Sequence, residues 1–325
     1  MVQEEVAVST EVPADAPREG PSWLFLGQGT MGAAALAGLL SLQRPRAVLT
    51  PGRGLAGEPV AQTARAHGLP VDEVTGLGDA PVEVWPQRYG PLDVVVVACW
   101  TERIGSASLA VPAHGWWNLH PSALPAWRGV DPVAWQLLAG AREVGCTVHE
   151  MTPGLDDGAV LARGAVPVGA DDDRGAVLTR AGARLGALAG QRLTDLAAGR
   201  PLQGQPQDEA AATWCPPAGT TVLLDPGRLG AAEAARLLRA VTPAPGAAVA
   251  GLGEAGRLIR PEIGPRRDGG ERAGDVVDLG GGRVAVACRD RWLYARHLGA
   301  VVPGQAPSRT LLAFEDPPAP GPSTR

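Results

Sequence analysis

The run Leu92-Asp93-Val94-Val95-Val96-Val97-Ala98-Cys99 constrains the fold of this chain more than any other segment. Its four successive valines are stiff, β-branched residues that favour extended backbone. Along a strand, side chains alternate between faces, and here both faces are apolar. Such a strand is buried on both sides, as in a parallel sheet lying between helices. The flanking segments agree. Trp23-Leu24-Phe25-Leu26 is a short apolar strand ended by Gly27, and Ala33 to Leu42 is a good helix former. A second strand fits Arg46 to Thr50, a helix fits Val60 to His67 with Gly68 closing it, and Leu69-Pro70-Val71 is briefly extended. Alternating strands and helices predict an α/β architecture: an open, mostly parallel sheet with helices on both faces.

Further along, Val144 to Met151 reads as another strand, and leucines at helical spacing from Leu178 to Leu196 predict a long amphipathic helix. Gly199 to Gly219 is rich in Gln, Pro and Gly and reads as a linker. Ala231 to Val241 is a helix. It is followed by β-prone pieces at Arg257-Leu258-Ile259, Asp275-Val276-Val277, Val284 to Ala287 and Trp292-Leu293-Tyr294. Short strands at turn-rich intervals predict a small C-terminal β-barrel domain. The expected organisation is a disordered acidic tail over 1–20, a catalytic domain over 21–200, a linker over 201–222, the barrel over 223–315 and a loose tail over 316–325.

Composition removes several chemistries. All 29 basic residues are arginine, so no lysine Schiff base, lysine nucleophile or lysine-bearing phosphate loop can exist. No apolar run approaches the roughly 18 residues of a membrane span, and Gln3-Glu4-Glu5 is the wrong charge for a secretory leader, so a cytoplasmic protein is expected. Cys99, Cys146, Cys215 and Cys288 stand far apart with no CxxC pair, which reads as reduced thiols and predicts no metal site.

The chemistry concentrates between Trp116 and Gly158. Asn118 and His120 are two apart, so on a strand they share a face, and Pro121 favours extended backbone at His120. An amide N–H and an imidazole converging on one point suit the oxygen of a carbonyl that is becoming tetrahedral. Asp156, in the turn Gly154-Leu155-Asp156-Asp157-Gly158, would orient His120, raise its pKa and accept a proton if it lay nearby. Spacing alone leaves an ordinary loop at a strand end as the alternative.

The segment Asn118-Leu119-His120-Pro121-Ser122-Ala123-Leu124-Pro125-Ala126-Trp127-Arg128-Gly129, continued by Thr147-Val148-His149 and Leu155-Asp156-Asp157-Gly158, resembles the 10-formyltetrahydrofolate-dependent formyltransferase family. That family's signature is close to N-x-H-P-S-L-L-P-x-[YW]-R-G, then T-x-H and L-D-x-G; Ala123 is the one departure, and it leaves the polar residues intact. Residues 223–300 are similar to the family's C-terminal barrel. The resemblance implies a Rossmann-like catalytic domain followed by an OB-like barrel, and an enzyme with 10-formyltetrahydrofolate as co-substrate. It implies Asn118, His120 and Asp156 as catalytic residues. Folate would lie near Trp100, Arg103, Ile104, Ser122 and Leu155. His149 would line the site, and Arg128 would either pin the active-site loop or meet an acidic substrate group.

Gly27-Gln28-Gly29-Thr30-Met31-Gly32 matches G-x-G-x-x-G between a strand and a helix, which by itself proposes an NADP-dependent oxidoreductase, with Arg53 toward a 2′-phosphate. The acid expected at the end of the second strand is missing. Under the family resemblance, Gly27, Gly29 and Thr30 would instead face the acceptor substrate, or simply form a tight turn. Between the family's branches, Pro51 to His67 offers only Arg53 and Arg65, little for tRNA phosphates. Arg128 to Trp135 also resembles the branch acting on small molecules. Against this, residues 223–315 carry 13 Arg and 10 acids, a net +3. The expectation from sequence is a small-molecule amine acceptor, an amino sugar or hydroxyornithine type, with methionyl-tRNA as the alternative.

Overall fold

The computed structural model describes residues 20–51, 56–74, 84–216, 220–249, 257–297 and 309–311. The expected tails and Arg53 lie outside these residues, apart from Gly20. In chain order the elements are β1 (Trp23–Gly27), α1 (Gly29–Leu40), β2 (Ala47–Pro51), α2 (Glu58–Ala66), β3 (Val71–Val74), α3 (Val84–Tyr89), β4 (Val94–Ala98), α4 (Ser106–Leu109) and β5 (Trp116–His120). They continue with α5 (Pro132–Leu138), β6 (Glu143–Glu150), β7 (Val160–Pro167) and α6 (Arg174–Ala197). After a 3-10 turn at Glu209–Ala211 come β8 (Thr220–Leu224), α7 (Ala231–Ala240), β9 (Ala247–Val249), β10 (Arg257–Arg266), β11 (Val276–Gly280), β12 (Arg283–Ala287), β13 (Arg291–His297) and β14 (Arg309–Leu311).

The first sheet runs β3-β2-β1-β4-β5-β6-β7. Its first five strands are parallel, while β6 and β7 are antiparallel. The valine strand β4 lies at the centre, as its sequence requires. Phe25, Val48, Val94 and Val96 join the buried cluster on one face. Leu24, Leu26, Val95 and Val97 join the cluster on the other. This is the period-two alternation of a sheet covered on both sides.

Helix α6 is capped by Asp173, whose carboxylate accepts from the Ala176 N–H at 2.8 Å. It lies so close to α1 that a Cβ added at Gly182 would stand 2.4 Å from the Met31 carbonyl oxygen. One added at Gly186 would stand 2.1 Å from that of Ala35. These glycines are one helical turn apart, so they form a seam where backbone meets backbone.

The second sheet runs β11-β12-β13-β10-β9-β8-β14. The four β-prone pieces foreseen here are all strands, each longer than expected; β8 and β9 are short and lacked a pattern. This C-terminal part rests on the first through Arg236 Nη1, which donates to the Leu138 carbonyl at 2.8 Å, and through the Gly175 N–H, which donates to Thr242 O at 3.2 Å. One buried cluster runs continuously through both parts. The Gln/Pro/Gly-rich stretch between them is not a free spacer: Gln205 exchanges two backbone hydrogen bonds with Val160, at 2.8 and 2.9 Å, and Trp214 bridges Arg128. No helix of the described residues is long and apolar enough to cross a membrane.

Adding one methyl group at the helix seam forces two backbones apart. Gly186→Ala is expected to lower unfolding free energy by about 1–3 kcal/mol, measured as a lower urea midpoint with unchanged slope.

Candidate active site

In the first sheet, β1 leads through α1 toward β2 on one side and β4 leads through α4 toward β5 on the other. The carboxyl ends of β1 and β4 therefore part at a switch point, where open α/β sheets bind their ligands. Asn118 sits beside Val97 near that edge, and across the next ladder it faces His149. The loop Met151 to Ala159 between β6 and β7 folds over this edge and brings Asp156 to it.

Asn118, His120 and Asp156 do meet. The Asp156 Oδ1 accepts from Asn118 Nδ2 at 3.3 Å, and Oδ2 accepts from the Gly129 N–H at 2.8 Å. His120 Nδ1 lies 3.6 Å from Oδ2, and His149 Nε2 lies 3.6 Å from Oδ1. Because a carboxylate only accepts, the Asn118 amide can face it in one orientation alone. Its second N–H meets His149 Nε2 at 3.2 Å, while His149 Nδ1 donates to the Glu150 carbonyl at 2.7 Å. His120 is fixed in the same way: its Nε2–H donates to the Trp127 carbonyl at 3.0 Å, which leaves Nδ1 turned toward Asp156. His149 is thus part of the cluster and orients the amide.

Two non-glycine residues here hold left-handed backbone, Trp127 at φ 62° and Asp156 at φ 54°. Each costs about 1–3 kcal/mol, sustained by the surrounding bonds. Burial disfavours charge on Asp156, but His120, His149 and the Gly129 N–H outweigh it and hold the carboxyl well below the usual range. For His120 the balance is reversed. Asp156 pushes its pKa up, as expected from sequence, but burial dominates and the net shift is downward. The resting pair is an ionised Asp156 beside a neutral His120. Burial also pushes Cys99 up to about 11 and Cys215 up to about 12, so neither nearby thiol supplies a thiolate at neutral pH.

The other expected residues divide. Trp100 lies in the loop leaving β4 at the switch point, and its indole Nε1 is buried without a hydrogen-bond partner. Ile104 is buried and belongs to the core cluster beneath it, Arg103 is exposed, and Leu155 is more than half exposed on the Asp156 loop. Ser122 is fully buried, and its hydroxyl donates to the Ala126 carbonyl at 2.7 Å, so it shapes the loop. Arg128 turns inward and is 1% exposed. Its guanidinium bonds Glu209 at 2.6 and 2.9 Å and Gln207 at 2.8 and 3.2 Å, and packs over the Trp214 ring. Of its two foreseen roles, pinning the loop is the one its surroundings fit. Gln207 and Thr213 were missed, because nothing in a Gln/Pro/Gly-rich stretch marks a site.

At the glycine loop, Gly29 takes φ +67° and its N–H is already bonded to Ala56 O at 2.6 Å. A Cβ at Gly27 would strike the Phe25 ring at 2.6 Å. Turn geometry and close packing account for these glycines without a nucleotide, and Thr30 is exposed on the first turn of α1.

An open sheet with an Asn–His–Asp cluster at its switch point, followed by a second β-rich part, is the layout that the sequence resemblance implies. Residues 83–185 match the Formyl transferase family, and residues 228–301 match its Formyl transferase, C-terminal domain. The chain is 34% identical over 273 residues to the methionyl-tRNA formyltransferase of Thiobacillus denitrificans, covering 82% of this chain and 87% of that one. It is 32% identical to that of Dechloromonas aromatica, over 89% of this chain and 94% of the relative. The chain belongs to the formyl transferase family and is an enzyme that transfers formyl groups. The fold is shared with HypX from Aquifex aeolicus (TM-score 0.62, 18% identity, 85% of this chain and 44% of that one). It is also shared with WlaRD, a sugar 3N-formyl transferase (TM-score 0.57, 12% identity, 86% and 99% covered). These relatives overturn the expected partner. Four relatives matched over most of their length carry the name methionyl-tRNA formyltransferase, so the small-molecule amine favoured from sequence is not supported over tRNA.

Free imidazole titrates near pH 6.5. His120 is expected to titrate below that value in the folded protein, and lower still in Asp156→Asn, where the neighbouring anion is gone. Histidine ring chemical shifts followed against pH measure both.

Proposed function

We propose that this enzyme is a methionyl-tRNA formyltransferase, moving the formyl group of 10-formyltetrahydrofolate onto the amino group of methionyl-tRNA. The observation that carries the reading is the gathering of Asn118, His120 and Asp156 at one sheet edge, with Asp156 within 3.6 Å of the other two. The folate would lie at the switch point, where the unpartnered Trp100 Nε1 is a buried donor in want of an acceptor. When bound there it would supply the activated formyl carbon; Trp100, Ile104 and Leu155 would hold it.

The protein's own groups divide the work. The Asn118 amide, loosely held at 3.2 and 3.3 Å by His149 and Asp156, offers an N–H donor to the formyl oxygen as it gains negative charge, and His120, whose Nε2–H is held by Trp127, adds a second once its free Nδ1 takes up a proton. Asp156, ionised and held by the Gly129 N–H, takes up positive charge arising on His120 and the attacking amine. The amine's proton passes through the His120–Asp156 pair to the nitrogen that the formyl group leaves, so bonds and protons balance. On this reading the reacting side chains lie within residues 21–200 and residues 223–315 hold the nucleic acid.

A feature of the second sheet supports tRNA. Arg283 and Arg296 are directly paired across β12 and β13, and both are exposed. Like charges opposite one another destabilise a sheet. A phosphate backbone laid on that face turns the penalty into binding.

Incubation with 10-formyltetrahydrofolate and charged initiator tRNA should yield formylmethionyl-tRNA and tetrahydrofolate; uncharged tRNA should yield neither. Absence of transfer to methionyl-tRNA would sink the reading. Asn118→Ala and Asp156→Asn should each lower kcat on the order of 10²–10³-fold, with the fold intact by circular dichroism. Arg283→Ser with Arg296→Ser should leave single-turnover chemistry at saturating tRNA unchanged. It should also weaken tRNA binding and flatten the slope of log K against log salt by about 1 per lost phosphate contact.

A further inference from the structure

The segment joining the two sheets runs behind the catalytic loop and bonds to it at several points. Thr213 Oγ1 accepts from the Trp127 N–H at 2.9 Å, and the Thr213 N–H donates to Pro125 O at 3.1 Å. Trp127 is the residue whose carbonyl holds the His120 ring. Two residues on from Gln205, which pairs with β7, the side chain of Gln207 enters the network. Its Nε2 donates to the carbonyls of Asp156 and Gly158, both at 2.8 Å. Its Oε1 accepts from Arg128 Nε at 3.2 Å and Nη2 at 2.8 Å.

Carbonyls only accept and a guanidinium only donates, so the amide of Gln207 can face one way only, and in it all four of its bonding positions are used. No other common side chain of this length offers two donors and two acceptors at once. The residue links a buried cation to the backbone of the loop that carries the catalytic carboxylate. That loop also holds Asp156 in left-handed backbone at φ 54°, a conformation that needs external restraint.

We propose that Gln207 is a positioning residue for formyl transfer: from outside the sheet that bears the catalytic groups, it fixes the Asp156 loop so that the carboxylate meets Asn118, His120 and the Gly129 N–H. The proposal rests on the formyl-transfer reading above. In Gln207→Leu, both donors and the acceptor are lost. In Gln207→Glu, the bonds to Arg128 persist while carboxylate oxygens face the two carbonyls, so the loop is released without removing Arg128's partner.

Three measurements test this. In both variants the Gly129 amide, the donor to Asp156, should exchange its hydrogen about tenfold faster, the size of effect expected for losing one or two hydrogen bonds. Amides of β1 and β4 should be unchanged, which shows that the fold is kept. In the same variants kcat should fall about tenfold with KM for 10-formyltetrahydrofolate within about twofold. Finally, Gln207→Leu placed on Asp156→Asn should cost nothing further, because the residue acts through that carboxylate. Unaltered Gly129 exchange, unaltered kcat, or a full additional loss on Asp156→Asn would each overturn the proposal. If Gln207→Leu disturbs the core amides, Gln207→Glu decides the matter. If the wild type transfers no formyl group while Gly129 exchange rises as expected, the hold on Asp156 stands and the formyl-transfer reading falls.

Discussion

A carboxylate with only 9% of its side-chain surface exposed must be met by donors, and the architecture around Asp156 is organised by that demand. The Gly129 N–H and the Asn118 amide donate to it, and two histidine rings stand 3.6 Å away, the four groups coming from three different stretches of chain. Each donor needs its own support. Gly129 follows a left-handed Trp127, Asn118 is held by the β5–β6 ladder, and His149 stands opposite it in register. The charge that results is strongly favoured as an anion, and it lies beside an imidazole that burial keeps neutral. With both groups in their deprotonated forms, the pair can receive a proton.

Much of this was legible in the residues. The valine run specified a central strand, and the observed β4 is buried on both faces. The two-residue spacing of Asn118 and His120 gave a shared face because a strand has period two. The proximity of Asp156 was not legible from spacing, since it depends on a long loop returning over the sheet edge; only the family resemblance supplied it. The sign of the His120 shift was equally hidden. A nearby carboxylate is visible as a motif, whereas burial arises only once the Trp127 loop and the β6 strand have closed around the ring. Segment 201–216 was the least legible, because Gln and Thr side chains declare no pattern until their partners are in place.

The acceptor shows a different kind of failure. Counting arginines between Pro51 and His67 tested one stretch for a basic surface, and its emptiness favoured a small molecule. Charge acts where side chains meet in space, not where they adjoin in sequence. Arg283 and Arg296 are far from that stretch and 13 positions apart, yet sheet register sets them side by side. Net charge of −5 for the whole chain conceals such a pair.

The inward turn of Arg128 has a consequence for where this enzyme can be divided. Its guanidinium is enclosed beneath the loop that joins β5 to α5, and the partners that neutralise or stack on it, Gln207, Glu209 and Trp214, come after α6 has ended. A fragment stopping at residue 200 would contain the whole first sheet with Asn118, His120 and Asp156, and would still strand a cation in its interior. The unit that packs around Arg128 is therefore larger than the unit of sheet topology, and the connecting strap belongs to it.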